Sequence, residues 1–400
     1  MTGRSSADTN EAGKVSIITG PPVKGHDFYG REKELDLAWN DKILKGISLM
    51  LSAPRRVGKT SFARKMLEKA ETRGWKTLWL DLQATGKGSE IEFIRLLKKE
   101  LNSERWWGKA SGELRTWLDG ITLDGIVTFD NDVLRNGTYE KVAQLIKNAG
   151  EILIVIDELT LYLDSLFKQE GGKEKVEFFL EWLRHLRLNP AIKARWIFCS
   201  SIGIENFASR HNLSKHFNDL DDTIKLGEFT KKEATGFLSE VDIRDGKRFE
   251  PNHITYILDE KLVWRLPYFI QLLANEIYSL IYVEEKELSE ATIDEAYNRL
   301  ITGNHFNTWI ERLKEEYCEL EGDARKILKL CAFPKEGRNK SNLLASLRKG
   351  KENVDIEKTK ETLCELLRML ENDGYLEKRE SRYAFRSPLL RDFWHKRFEE

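Results

Sequence analysis

The sequence predicts an α/β fold: a parallel sheet wrapped by helices comes first, a helical region second, and a small unit of helices and a hairpin last. Three observations predict it. From residue 47 onward, short β-rich apolar runs alternate with longer amphipathic segments, the pattern of a parallel sheet covered by helices. Strand signals stop at about residue 228, and in the final stretch helical spacing gives way to two short strands around a polar turn. The length of 400 residues is also more than one hydrophobic core usually serves, so two or three domains are expected.

Taken in order, residues 1–22 are small and polar, end in "GPP", and read as a mobile tail. The core is expected over 23–228. Its strands are the runs "ISLMLSA" (47–53), "KTLWLDL" (76–82), "ILIVID" (152–157), "RWIFCSS" (195–201) and "TIKL" (223–226). Between the second and third lies a stretch, 86–150, read as an insertion: it opens with helical spacing and then breaks into "LDGITLDGIVTFD" (118–130), whose glycine-punctuated alternation predicts a hairpin. Residues 229–305, with "PYFIQLLANEIYSLI" at 267–281, predict a helical lid. In 306–400, "DARKILKLCAF" (323–333), "SNLLASLRKG" (341–350) and "EKTKETLCELLRML" (357–370) precede "GYLEKRESRYAF" (374–385). Three helices and a hairpin of this size predict a winged helix-turn-helix.

Composition narrows the class. Apolar residues make up 40% and charged residues 33%, with 65 Lys and Arg against 66 Asp and Glu. That balance is globular and argues against wholesale electrostatic capture by nucleic acid or membrane. Cys199, Cys318, Cys331 and Cys364 have no CxxC spacing, which points away from a zinc site or a disulfide frame. The first residues lack a secretory apolar stretch and no run approaches the length of a membrane helix, so a cytoplasmic setting without membrane is expected.

The chemistry concentrates in "LSAPRRVGKTS", residues 51–61. A phosphate-binding loop needs main-chain N–H groups that converge on phosphates, a following helix N-terminus, a lysine for their charge and a hydroxyl for Mg²⁺. Pro54, Arg55, Arg56, Val57, Gly58, Lys59, Thr60 and Ser61 supply these between an apolar run and a helix with one buried face. Ala53 stands where the first glycine of such a loop would be. The bland alternative is a solvated basic turn. A second run, "ILIVIDELT", ends a buried strand in Asp157 and Glu158: one carboxylate can organise the Mg²⁺ shell, with Thr60, and the other can polarise an attacking water. An acidic pair opening a helix would look the same. Ser200 and Ser201, ending "RWIFCSS", are candidates to touch the γ-phosphate or the water, or are turn residues.

With these motifs in order the chain resembles the P-loop ATPases of the AAA+ and STAND kind, most closely the archaeal ATPase family, which also occurs in bacteria. The resemblance spans residues 26–400. "FYGREKEL" (28–35) is similar to the opening motif of that family, "APRRVGKTS" to its Walker A and "ILIVIDEL" to its Walker B. "SSIG" (200–203) is similar to its sensor region, "LGEFTKKEA" (226–234) to the start of its lid, "RLPYFIQLL" (265–273) to its lid proline motif, and "YAFRSPLLRDFW" (383–394) to its ending. The resemblance implies ATP as substrate, Mg²⁺ as cofactor, and Lys59, Asp157 and Glu158 as catalytic groups. It places Phe28, Tyr29 and Gly30 over the adenine and Pro267 on its other side. It also implies an arginine acting from a neighbouring copy, for which Arg184, Arg187 and Arg210 are the candidates by position. No Gly-Asp-Ala-Arg sensor of the replication-initiator type occurs within residues 229–305.

What the nucleotide drives has two readings. One is a switch or remodeller acting through a partner protein or an assembly of copies; the other is a DNA-associated ATPase of the loader or transposition-regulator type. Residues 323–400 hold 19 Lys and Arg against 14 Asp and Glu, the sign needed for contact with duplex DNA. The expected recognition helix opposes base readout, because Asp355, Glu357, Glu361, Glu365 and Glu371 outnumber Lys358, Lys360 and Arg368. A scaffold that binds nucleotide with negligible turnover is the third, blander reading.

Overall fold

The computed structural model describes residues 16–85, 89–101, 132–200, 204, 207–208, 211–221, 224–242, 246, 248–349 and 355–399. The expected hairpin at 118–130, Ser201, Arg210 and most of the N-terminal stretch lie outside them. The chain forms two compact units, residues 31–227 and residues 1–30 with 228–400.

In the unit 31–227 a short helix α1 (Glu32–Asp36) continues through looser helical turns to Lys45. Then follow β1 (Leu49–Ser52), α2 (Lys59–Glu71), β2 (Lys76–Asp81), α3 (Glu90–Leu101), α4 (Asp132–Ala149), β3 (Ile152–Asp157), α5 (Leu159–Phe167), α6 (Gly172–Leu188) and β4 (Ala194–Ser200). The four strands pair in parallel in the order β1-β4-β3-β2. Every residue of β3 is buried, as a central parallel strand covered on both faces requires. This is why its apolar run is continuous rather than alternating. Helix α2 buries Phe62, Ala63, Met66, Leu67 and Ala70, one stripe at helical spacing. On α3, α5 and α6 the rings of Phe93, Tyr162 and Phe179 meet, with Phe93 and Phe179 edge to face at 5.0 Å.

Among the described residues of the fifth expected strand, no strand forms. Residues 224–226 carry no ladder, although Ile224 and Leu226 are buried. The free edge of β1 is met three residues earlier: the Met50 N–H donates to the Asp221 carbonyl at 2.9 Å, and the Asp221 N–H donates to Ser48 at 3.0 Å. The apolar character of the run therefore reports burial rather than pairing.

In the unit 1–30 with 228–400, the Ile18 N–H donates to Gln271 at 2.7 Å. Helix α7 (Lys231–Glu240) opens with a capping box in which Thr230 and Glu233 each satisfy the other's main-chain N–H. A helical stretch over residues 251–262 follows, then α8 (Pro267–Tyr282), α9 (Glu290–Thr302), α10 (Asn307–Tyr317) and α11 (Glu321–Ala332). The chain continues through β5 (Arg338–Asn339), α12 (Lys340–Arg348), α13 (Ile356–Asn372), β6 (Leu376–Arg379), β7 (Arg382–Phe385) and α14 (Pro388–Glu399). The three strands form an antiparallel sheet in the order β5-β7-β6. Phe306 packs against both Phe269 of α8 and Phe393 of α14, so the helices of 267–282 and the last helix share one core. Among the described residues no helix is long and apolar enough to cross a membrane.

Candidate functional site

The site grows from the six residues between β1 and α2. Gly58, at the N-cap of α2, has φ 95°, a left-handed conformation that favours glycine, and a Cβ there would meet nothing within 4 Å. Its glycine answers to backbone conformation and not to crowding. Ala53 does not carry positive φ, so the methyl group that replaces the first glycine costs no strain. The Lys59 ammonium donates to the carbonyls of Ala53 at 2.6 Å and Pro54 at 2.9 Å. The lysine therefore spans the loop that carries it, and its side chain is buried among main-chain oxygens.

The acidic strand tip meets this loop directly. The Thr60 hydroxyl donates to the Asp157 carboxylate at 3.0 Å, and the Glu158 N–H donates to its other oxygen at 3.1 Å. Glu158 has φ 57° and turns the chain from β3 into α5. Burial, and after it the neighbouring Glu158 charge, push the Asp157 carboxyl up to about 6, against the Thr60 hydrogen bond and the Lys59 charge, which lower it. Asp81, opposite Asp157 in the β2–β3 register, raises it further. The Ser200 hydroxyl is hydrogen-bonded to that of Thr160 on α5, and Ser200 pairs with Ser52 at the end of β1. Of the seven non-glycine residues with positive φ among the described residues, Arg56 lies in the loop, Glu158 beside it, and Arg31 against it. Such strain concentrates where a site demands a backbone shape.

The expected residues divide between the units. Lys59, Thr60, Asp157 and Glu158 converge, with Ser200 joined through Thr160. Val57 is buried beside them, Ser61 is buried in the first turn of α2, and Pro54, Arg55 and Arg56 are half-buried. Phe28, Tyr29, Gly30 and Pro267 belong to the other unit. There Tyr29 packs edge-on against Phe237 at 5.6 Å, above Gly236, where a Cβ would stand 2.4 Å from its hydroxyl. Gly30 lies against Glu233, and Pro267 is the first residue of α8. Arg187 makes a two-pronged contact with Asp219 at 2.7 and 3.0 Å and its side chain is 2% exposed, whereas that of Arg184 is 37% exposed.

Two residues at the site escaped the reading of the sequence. Asp81 ends its strand in an acidic residue, the same signal that marked Asp157. Arg31 stands inside "FYGREKEL", but nothing local says that its guanidinium reaches residue 57. The Thr60 hydroxyl and Asp157 carboxylate are hard oxygen donors suited to Mg²⁺. Among the described residues no group of three or more His, Cys, Asp or Glu could hold a metal. Mg²⁺ at this pair would therefore rely on water and phosphate oxygens for the rest of its shell.

No protein-family model matches the chain, and no curated protein matches its sequence. Solved structures do match. The Walker-type ATPase PABY2304 of Pyrococcus abyssi aligns over 94% of this chain and 99% of its own, with 16% identity and a TM-score of 0.65. The chain has the fold of a Walker-type, P-loop ATPase. The ADP form of the Aeropyrum pernix ORC2 protein aligns over 96% of this chain and 97% of its own, with 14% identity and a TM-score of 0.50.

Proposed function

We propose that this P-loop protein binds ATP with Mg²⁺ and hydrolyses it slowly, as an AAA+ or STAND-like switch that acts through a partner protein or an assembly of copies. The observation that carries the proposal is the Thr60–Asp157 hydrogen bond, which joins the phosphate loop to the acidic strand tip. Lys59 would exchange the Ala53 and Pro54 carbonyls for phosphate oxygens, which bear more negative charge. Thr60 and Asp157 would hold Mg²⁺, whose charge when bound offsets that of the phosphates. Glu158, half-exposed beside them, would accept the proton of the attacking water. Pro54, Arg55, Arg56, Val57, Gly58 and Ser61 line the phosphate side, while Phe28, Tyr29, Gly30 and Pro267 are assigned to the base. Ser200 and Ser201 are assigned to sensing the γ-phosphate, and Arg184, Arg187 or Arg210 to action from a neighbouring copy. The exposure of Arg184 favours it. In this reading the core is 23–228, the lid 229–305 and a winged helix 306–400, in a cytoplasmic protein.

One observation favours the DNA-associated alternative. Lys378, Arg379 and Arg382 are exposed on the hairpin formed by β6 and β7, where they could meet the backbone of a duplex without entering its groove.

Hydrolysis by wild type, Lys59→Ala and Glu158→Gln, with and without duplex DNA, tests both. Turnover is expected to fall by at least about a hundredfold in each variant, with ATP binding lost mainly in Lys59→Ala. Wild-type ATP affinity in Lys59→Ala would remove the site assignment. Salt-dependent DNA binding that stimulates turnover would favour the alternative over the switch.

A further inference from the structure

We propose that Arg31 is a positioning residue of the phosphate loop, holding the Val57 carbonyl so that the Gly58 N–H is presented to the phosphates. The inference rests on the nucleotide-binding reading above and adds to it a residue outside the loop. Arg31 is the first residue of the unit 31–227, immediately before α1, and its side chain is 5% exposed. One guanidinium nitrogen donates to the Val57 carbonyl at 3.1 Å and to the Gly227 carbonyl at 2.6 Å. The contact of the other nitrogen with Glu34 is longer, at 3.4 Å. Burying a guanidinium costs several kcal/mol unless it is well paired. Here the closer contacts are to main-chain oxygens, one in the loop and the other on the last residue of the same unit.

The geometry of the peptide gives those contacts a consequence. The C=O of Val57 and the N–H of Gly58 belong to one planar trans unit and point in opposite directions. A carbonyl held on the Arg31 side therefore keeps the N–H on the other side. Gly58, with its left-handed φ of 95°, belongs to the residue type that most readily permits the peptide plane before it to turn over. Turned over, the plane would set a carbonyl oxygen against the phosphates. The Arg31 guanidinium opposes that turn with a charge-assisted hydrogen bond, the stronger kind. Its own backbone bears a cost for the position, with φ 69° in a non-glycine residue. The hydrogen bond to Gly227 braces the guanidinium from the opposite end of the unit's sequence.

The test measures ADP affinity by calorimetry, which needs no turnover, in wild type, Arg31→Ala, Arg31→Lys and Lys59→Ala. Arg195→Met serves as the control: that arginine also donates to a main-chain carbonyl of the same unit, Ile43 at 3.1 Å, but not to the loop. Arg31→Ala is expected to weaken ADP about tenfold, equivalent to about 1.4 kcal/mol. Arg31→Lys, which keeps the charge without the planar fork, should weaken it at least about threefold. Ethylguanidinium in solution should restore affinity to Arg31→Ala and not to Lys59→Ala, while Arg195→Met stays within about twofold of wild type. If Arg31→Ala does not fold, Arg31→Lys carries the measurement. Affinity within about twofold of wild type in the Arg31 variants, alongside its loss in Lys59→Ala, would overturn the role of Arg31 and leave the nucleotide reading standing. A loss in Arg195→Met equal to theirs would likewise overturn it. Wild-type affinity in Lys59→Ala would instead remove the nucleotide reading itself.

Discussion

Asp157 sits where burial and the Glu158 charge both disfavour its ionised form, so the folded protein holds its proton up to about pH 6, against 3.8 for an ordinary aspartate. A carboxyl raised by folding contributes stability that is complete below about 3.8 and lost as pH rises through about 6. The uncharged variant Asp157→Asn keeps one oxygen for the Glu158 N–H, presents its NH2 to the Thr60 hydroxyl, which can accept instead of donate, and avoids that loss. In the absence of nucleotide it should therefore melt above wild type at pH 7.5, with the difference shrinking as the pH falls to 5. Thermal melts at the two pH values check this, and a variant that melts below wild type at pH 7.5 would show that the local cations outweigh burial. A residue kept ionisable where the fold prefers it neutral is the usual signature of a functional carboxylate. Asp157 was legible as a candidate because an acidic residue ended a continuous apolar run. Arg31 was not, because its partner Val57 is 26 positions away.

Among the elements, the joint between α10 and the end of α13 rests on a buried charge cluster. Arg312 donates to Glu316 at 2.7 Å and to Asp373 at 2.9 Å, the Tyr317 hydroxyl donates to the other oxygen of Asp373 at 2.8 Å, and both carboxylates are nearly as buried as the arginine. Removing the cation leaves two buried carboxylates without their counter-charge. Arg312→Met should cost about 3–5 kcal/mol in denaturant unfolding; a loss below about 1 kcal/mol, the range of an exposed pair, would mean that water reaches the cluster. None of this was readable beforehand, since residues 312 and 373 stand on different helical patterns. The sheet strands of the first unit were readable, because four runs of β-branched and apolar residues each met the period of a buried strand. The run at 223–226 is also apolar, but residues 224–226 carry no ladder and β1 is met instead by the single bridge at Asp221.

At the scale of the whole molecule, the expected assembly of copies can be separated from simple nucleotide binding. Glu158→Gln retains the groups that hold nucleotide and loses the one assigned to activating water. In the switch reading, size-exclusion chromatography with light scattering should show ATP raising its mass above that of one chain, with ADP failing to do so. A single-chain mass under both nucleotides would exclude an ATP-driven assembly of the chain with itself. The sequence by itself determined the P-loop, its strand and helix, the acidic strand tip and the change to helices beyond residue 228. Each of these depends on neighbours in the chain and on hydrophobic period, which a linear pattern records. Only the tertiary structure decided that Thr60 meets Asp157, 97 positions away, that Arg187 is occupied by Asp219, and that Arg31 braces the loop. Those contacts arise when a packed core carries separate segments to one place, and the spacing of residues along the chain does not record where the core will carry them.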